Sequence, residues 1–243
     1  MCTASWSFGS DRTILSFSRD ERKSRSRATP PAVKTVGQTH CIAPQDSEAY
    51  GTWILANDRG LCVFLLNNYG AGVNHRTGRV FESRGKLPWL FADCPDVGEA
   101  ARRLAREFDP QSWQPFHLCF LDLRSACCMS WDGRALSETD VSAGFLTTSS
   151  YRTAEVEAYR RQRYDALLPG RGDDREAWHV AYHQDLAHSD SAFNPFMLRP
   201  ESETHCLSVI VMDSDSLRFD YFERVTGQPV WRPRQRVELP LAR

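Results

Sequence analysis

Short apolar runs, paired across turn-forming residues and interrupted twice by helical periodicity, are the feature that most limits the folds open to this chain. Residues 2–8 and 13–18 flank Gly9-Ser10-Asp11 and read as one hairpin, and residues 51–56 and 61–67 flank Asn57-Asp58-Arg59-Gly60 and read as a second. Between the hairpins, residues 22–47 are polar and carry Pro30-Pro31, the pattern of a loop. Over 96–108, Val97, Ala100, Ala101, Leu104, Ala105 and Phe108 recur at helical spacing with Arg102, Arg103 and Arg106 between them. Strands are predicted over 116–123, 126–131 and 141–148, followed by a helix from Ser149 or Ser150 to Leu168 that stops before Pro169-Gly170. A shorter helical segment covers 175–183, and strands over 204–212 and 217–222 follow. This order is neither strict βαβα alternation nor all-β. It fits an α+β fold in which two mainly antiparallel sheets pack face to face and the amphipathic helices cover the outer faces.

A chain of 243 residues can bury a sizeable core, and one domain spanning 1–243 is expected. The formal net charge of -1 supplies no field for nucleic acid. The basic side chains between Arg19 and Arg27 are broken by Asp20 and Glu21 and lead into prolines, so that stretch reads as a solvated loop. No apolar run approaches the ~18 residues that a membrane span needs, and residues 1–13 lack a secretory leader pattern. A cytoplasmic address is the expectation. The eight cysteines are scattered without C-x-x-C pairs and are expected to be thiols, with Cys62 and Cys119 in the core and one of Cys127 and Cys128 facing outward. His179 and His183 lie four apart on the third predicted helix, but the protease-type glutamate is missing between them, so no metal and no other cofactor is expected. Tyr159, Tyr164 and Trp178 fall at helical spacings and read as core. No sequence feature specifies an oligomeric state.

Cys2 follows Met1 directly. Removal of Met1 places the α-amine on Cys2, so that one residue supplies both nucleophile and base. An α-amine of pKa ~7.7 to 8.0 accepts a proton near neutrality, and a thiol of pKa ~8.5 needs modest electropositive help to ionise. A turn centred near Ser10 pairs residues whose numbers sum to about 20 or 21. Cys2 then meets Arg19, with Asp20 adjacent. A guanidinium there lowers the thiol pKa or holds an acyl oxygen, and a carboxylate there orients the α-ammonium.

The opening MCTASW, its apolar strand and Ser18-Arg19-Asp20-Glu21 resemble the transport and Golgi organisation 2 (NRDE-motif) family, with Ser18 in place of the motif's asparagine. Gly51-Thr52-Trp53, Asn57 to Leu61, Asn67-Asn68-Tyr69 and Ser83-Arg84-Gly85 continue the likeness over residues 2–90. The resemblance implies a four-layer αββα sandwich like that of N-terminal nucleophile hydrolases. It also implies Cys2, Arg19 and Asp20 as catalytic residues and Asn68 as an oxyanion-hole donor. Trp53, Asn67, Tyr69, Arg84 and Ser149 are the implied substrate-binding positions, and Thr148-Ser149 stands where an amide side chain is usual. Two functions are compatible with it: hydrolysis of a small acylated amide or thioester through Cys2, and non-catalytic carriage of haem or an acyl-lipid.

Overall fold

Side chains alternate between faces along a strand, and in the first hairpin that alternation sets the layers of the fold. The computed structural model describes residues 1–71, 80–170, 172–225 and 228–242. Strand β1 (Cys2–Phe8) pairs antiparallel with β2 (Thr13–Arg22), bringing Cys2 opposite Arg19. Ala4, Trp6, Leu15 and Phe17 point into a central apolar layer, while Thr3, Ser5 and Ser7 are buried on the opposite face.

Next come β3 (Thr29–Val36), β4 (Thr39–Gln45), β5 (Ile54–Asn57), β6 (Cys62–Asn67), a 3-10 helix (Arg84–Phe91) and helix α1 (Val97–Glu107). They are followed by β7 (Phe116–Leu121), β8 (Ala126–Trp131), β9 (Leu136–Thr139), β10 (Phe145–Thr148), α2 (Thr153–Leu167) and α3 (Arg175–Tyr182). The last strands are β11 (Ser202–Met212), β12 (Ser216–Arg224) and β13 (Trp231–Pro240). One sheet has the order β10-β1-β2-β11-β12-β13 and the other β3-β4-β5-β6-β7-β8-β9, with every pairing antiparallel.

The inner faces of the two sheets meet in one apolar layer, where Trp6 and Phe17 set their rings edge-on to Phe64 at 5.6 and 6.2 Å. Leu87, Phe91, Val97, Ala100 and Leu104 from the 3-10 helix and α1 cover the second sheet's outer face. Helices α2 and α3 cover the first, through clusters around Val156, Tyr164, Val180 and Tyr182. The order helix, sheet, sheet, helix is therefore the α+β sandwich expected from the strand pattern.

The structure corrects several local expectations. Residues 22–47 are not a loop, because β3 and β4 form a hairpin there around Gly37 at φ 60. The prolines are accommodated because β3 is an edge strand whose register shifts between Thr29 and Ala32. Arg19 belongs to a strand and is buried, not part of a solvated loop. Both Cys127 and Cys128 are buried, since β8 is covered on each face: Cys128 joins the inter-sheet layer and Cys127 the α1 side. Strands β9 and β13 were not anticipated, and the predicted 141–148 strand is shortened by a turn in which the Gly144 N–H bonds to Val141 O. Cys62 and Cys119 lie in the core as expected. Tyr164 is fully buried, and Tyr159 and Trp178 pack against buried clusters. No helix among the described residues is long and apolar enough to cross a membrane.

Candidate functional site

A cavity of about 460 Å³ opens where β1 and β2 face the loops after β4 and β6, and Cys2, Arg19 and Asp20 line it from one side. Across from them stand Trp53, Asn67, Tyr69 and Arg84. Of the nine positions singled out from sequence, seven thus share one cavity. Asn68 and Ser149 are absent from its lining. The Asn68 amide donates to Trp131 O at 3.3 Å and its oxygen accepts from the Ala71 N–H at 3.2 Å. The amide on the cavity is that of Asn67, whose Nδ2 donates to the Tyr69 hydroxyl at 2.9 Å. Ser149 is fully buried, donating to Tyr151 O at 2.7 Å with the Met1 sulfur 3.1 Å away.

Met1 extends the β1 pairing by one residue, since the Asp20 N–H donates to Met1 O at 3.0 Å. Its α-ammonium is 3.3 Å from the Tyr69 hydroxyl and 3.4 Å from Asp20 O. Cys2 is partly buried. Burial pushes its thiol pKa above the usual range, against the pull of the N-terminal ammonium and, less strongly, of Arg19.

Arg19 is held from three directions. Its Nη2 donates to Asp46 at 2.6 Å and to Glu21 at 3.1 Å, and its guanidinium carbon lies 4.4 Å from the centre of the Trp53 ring. The other terminal nitrogen, Nη1, is buried without a hydrogen-bond partner among the described residues. Burial opposes charge on Asp46, yet Arg25, the Ala49 N–H and Arg19 hold its carboxyl well below the usual carboxylate range.

Asp20 is fixed from behind. Its Oδ1 accepts from the Thr204 hydroxyl at 2.6 Å, and its Oδ2 lies 3.5 Å from Nη1 of Arg160. Burial raises the carboxyl pKa, while Arg160, the N-terminal ammonium and Thr204 pull it down. Arg160 sits on the buried face of α2 with Val156 and Tyr164, and its remaining donors reach Thr3, Thr147 and the carbonyls of residues 192–194. Sequence reasoning missed Arg160, Thr204, Asp46 and Arg25. A signal for Arg160 existed in the i, i+4, i+8 spacing of Val156, Arg160 and Tyr164, which puts a cation on a core-facing stripe.

Two glycines join separate motifs at the rim. Thr52 N–H donates to Gly85 O at 2.8 Å, and a Cβ on Gly51 would lie 2.6 Å from the Gly85 carbonyl carbon. The Gly51-Thr52-Trp53 and Ser83-Arg84-Gly85 segments are therefore pressed backbone to backbone, which sets Trp53 and Arg84 on one cavity. His179 and His183 face the buried side of the β1–β2 hairpin instead. Ser5 Oγ lies 2.8 Å from His179 Nδ1 and 3.0 Å from His183 Nε2, and the other ring nitrogens bond Ser7 and Ser18.

The family model for Transport and Golgi organisation 2 matches residues 1–228. This chain belongs to that family. No curated protein sequence matches this Transport and Golgi organisation 2 member. Among solved structures it is similar to the mutant C2A conjugated bile acid hydrolase from Clostridium perfringens, with a TM-score of 0.60 at 11% identity, covering 99% of this chain and 92% of that one. It is also similar to the Caenorhabditis elegans N-acylethanolamine-hydrolyzing acid amidase ortholog, with a TM-score of 0.59 at 13% identity, covering 86% and 92%. At such identities the likeness carries the fold, which is that of N-terminal nucleophile hydrolases.

Proposed function

We propose that this chain is a cysteine amidohydrolase that cleaves the amide or thioester bond of a small acylated molecule after loss of Met1. One observation carries the reading most: Cys2 stands opposite Arg19 across the hairpin, and Arg19 keeps a buried donor, Nη1, that has no partner among the described residues. An orphaned buried donor is costly in a resting protein and useful where negative charge develops.

In this scheme the Cys2 α-amine takes the thiol proton and the sulfur attacks the acyl carbonyl. Arg19 Nη1 and the Asn67 amide receive the oxygen's developing charge, with Asn67 replacing Asn68 in that role because it borders the cavity. The α-ammonium returns the proton to the departing amine or thiol, leaving an acyl-Cys2 thioester. Water, deprotonated by the same amine, attacks the thioester, and collapse releases the acid and restores the thiol. Asp20, anchored by Thr204 and Arg160, holds the ammonium in place. The free thiols suit the cytoplasm, where the expected address places the reaction.

Intact mass and alkylation kinetics test this. The expected result is a mature mass lacking Met1 and a Cys2 that reacts with iodoacetamide at least 100-fold faster than Cys62. Retained Met1, or equal labelling of the two cysteines, overturns it. A chain that binds acylated small molecules with no turnover is a carrier.

A further inference from the structure

Most charged side chains around the cavity are paired. Arg19 and Arg25 both reach Asp46, at 2.6 and 2.8 Å, and Glu21 lies 3.1 Å from Arg19 and 3.7 Å from Arg25. Asp20 is matched from behind by Arg160, and Glu82 by Lys86. Arg84 is the exception. Among the described residues its one hydrogen bond sends Nη1 to Pro115 O at 2.7 Å, and no carboxylate lies within ion-pair distance of it. None of the residues outside the described set is Asp or Glu. Among the described residues, a partly buried guanidinium on a cavity wall thus keeps Nε and Nη2 uncommitted.

The position of this cation is fixed. Arg84 opens the 3-10 helix, and the next residue, Gly85, is locked against Gly51 by the Thr52 N–H and by a backbone approach that tolerates no Cβ. A planar fork of donors on a rigid mount suits two-point recognition of a carboxylate or phosphate. Removing a cation from water without a counter-charge is unfavourable, and an incoming anion relieves that cost. Burial lowers the Arg84 pKa, which Tyr69 and Cys2 partly offset, so the guanidinium shares its surroundings with the residues where chemistry is proposed.

From this we infer that the acylated substrate carries an anionic group, a carboxylate or a phosphate, and that Arg84 is the residue that selects it. The inference rests on the cavity being where that substrate binds. Its test is nonetheless independent of the thiol. The mature full-length protein is titrated calorimetrically with inorganic phosphate and, separately, with hexanoate, at constant ionic strength set by chloride. The expected result is saturable binding of one of them, weakened at least 10-fold in Arg84→Gln and by a smaller factor in Arg84→Lys, which keeps the charge but loses the fork. Phosphate binding points to a phosphorylated substrate and hexanoate binding to a carboxylate.

Binding of neither anion, or equal binding by wild type and Arg84→Gln with unchanged melting temperature, overturns the inference. The same samples are then alkylated with iodoacetamide. If Cys2 is fast while no anion binds, the hydrolase reading stands and this inference falls. If an anion binds through Arg84 while Cys2 is slow, the anion site stands and the hydrolase reading falls.

Discussion

The carboxylate of Asp20 and the guanidinium of Arg160 meet at 3.5 Å with neither side chain exposed to solvent. Breaking a buried pair leaves one charge uncompensated, which costs more than the pair itself contributes. Arg160→Leu is expected to lower unfolding stability by about 3 to 5 kcal/mol. The double variant Asp20→Asn, Arg160→Leu should recover part of that loss in urea denaturation. Strict additivity of the two single changes would show that the residues do not act as a pair.

Thr204 anchors the other Asp20 oxygen while accepting the Met197 N–H at 2.8 Å. Thr204→Val preserves shape and removes both bonds, so a loss of about 1 to 3 kcal/mol is expected, whereas Thr204→Ser should stay near wild type. Equal stability of the Val and Ser variants would place the role of Thr204 in packing alone.

At the cavity rim, Gly51→Ala drives a methyl into the Gly85 backbone at 2.6 Å, and overpacking of this kind costs about 1 to 3 kcal/mol. Gly70→Ala is the control, since its nearest neighbour is Asn68 Oδ1 at 3.7 Å. A melting temperature lowered in Gly51→Ala and unchanged in Gly70→Ala is the expected pattern. Equal midpoints would mean that the contact yields without cost.

Acid should weaken the fold well before the carboxylates titrate. Burial, reinforced by Arg27 and Arg19, holds the His205 pKa down to about 4, and burial, His179 and Arg160 hold His183 well below its ordinary value. Both rings stay neutral in the folded chain. The unfolded chain takes up protons on them near pH ~6.5. Their contribution is thus complete above that pH and declines as pH falls toward 4, by up to about 1.4 kcal/mol per pH unit for each histidine. The raised Asp20 and Glu157 carboxyls work in the opposite direction, while His117, held down to about 4 by burial, adds to the histidine side. Urea midpoints should fall between pH 7 and 5, with a shallower slope in His205→Asn. A flat profile would refute this.

What the sequence revealed of this fold depended on where each strand lies in its sheet. Central strands such as β6 and β11 are buried on both faces, and their apolar runs, Cys62 to Leu66 and Val209 to Met212, were readable directly. Strands β3, β9 and β13 are edges. Edges tolerate proline and charge because one row of backbone groups faces solvent, so the stretch with Pro30-Pro31 reads as loop and no strand is predicted over Arg232 to Arg236. At the site, the hairpin register needed only local turn spacing. Choosing between Asn67 and Asn68 needed the exact end of β6, after which strand alternation no longer decides which side chain faces the cavity. Arg160 was legible only as a cation on a core-facing stripe, and its pairing with Asp20, like that of Thr204, was not, because Asp20 is remote from both in the chain.

The strand that carries Arg19 and Asp20 lies between β1 and β11. The hairpin can form from local sequence alone, but β2 gains its second neighbour, and Asp20 its Thr204 and Arg160 anchors, only from distant parts of the chain. A fragment ending before β11 would therefore display the thiol beside an open sheet edge, with Asp20 lacking its Thr204 anchor. On the proposed hydrolase reading, the carboxylate that would hold the Cys2 amine is thereby set in place only when nearly the whole chain has folded.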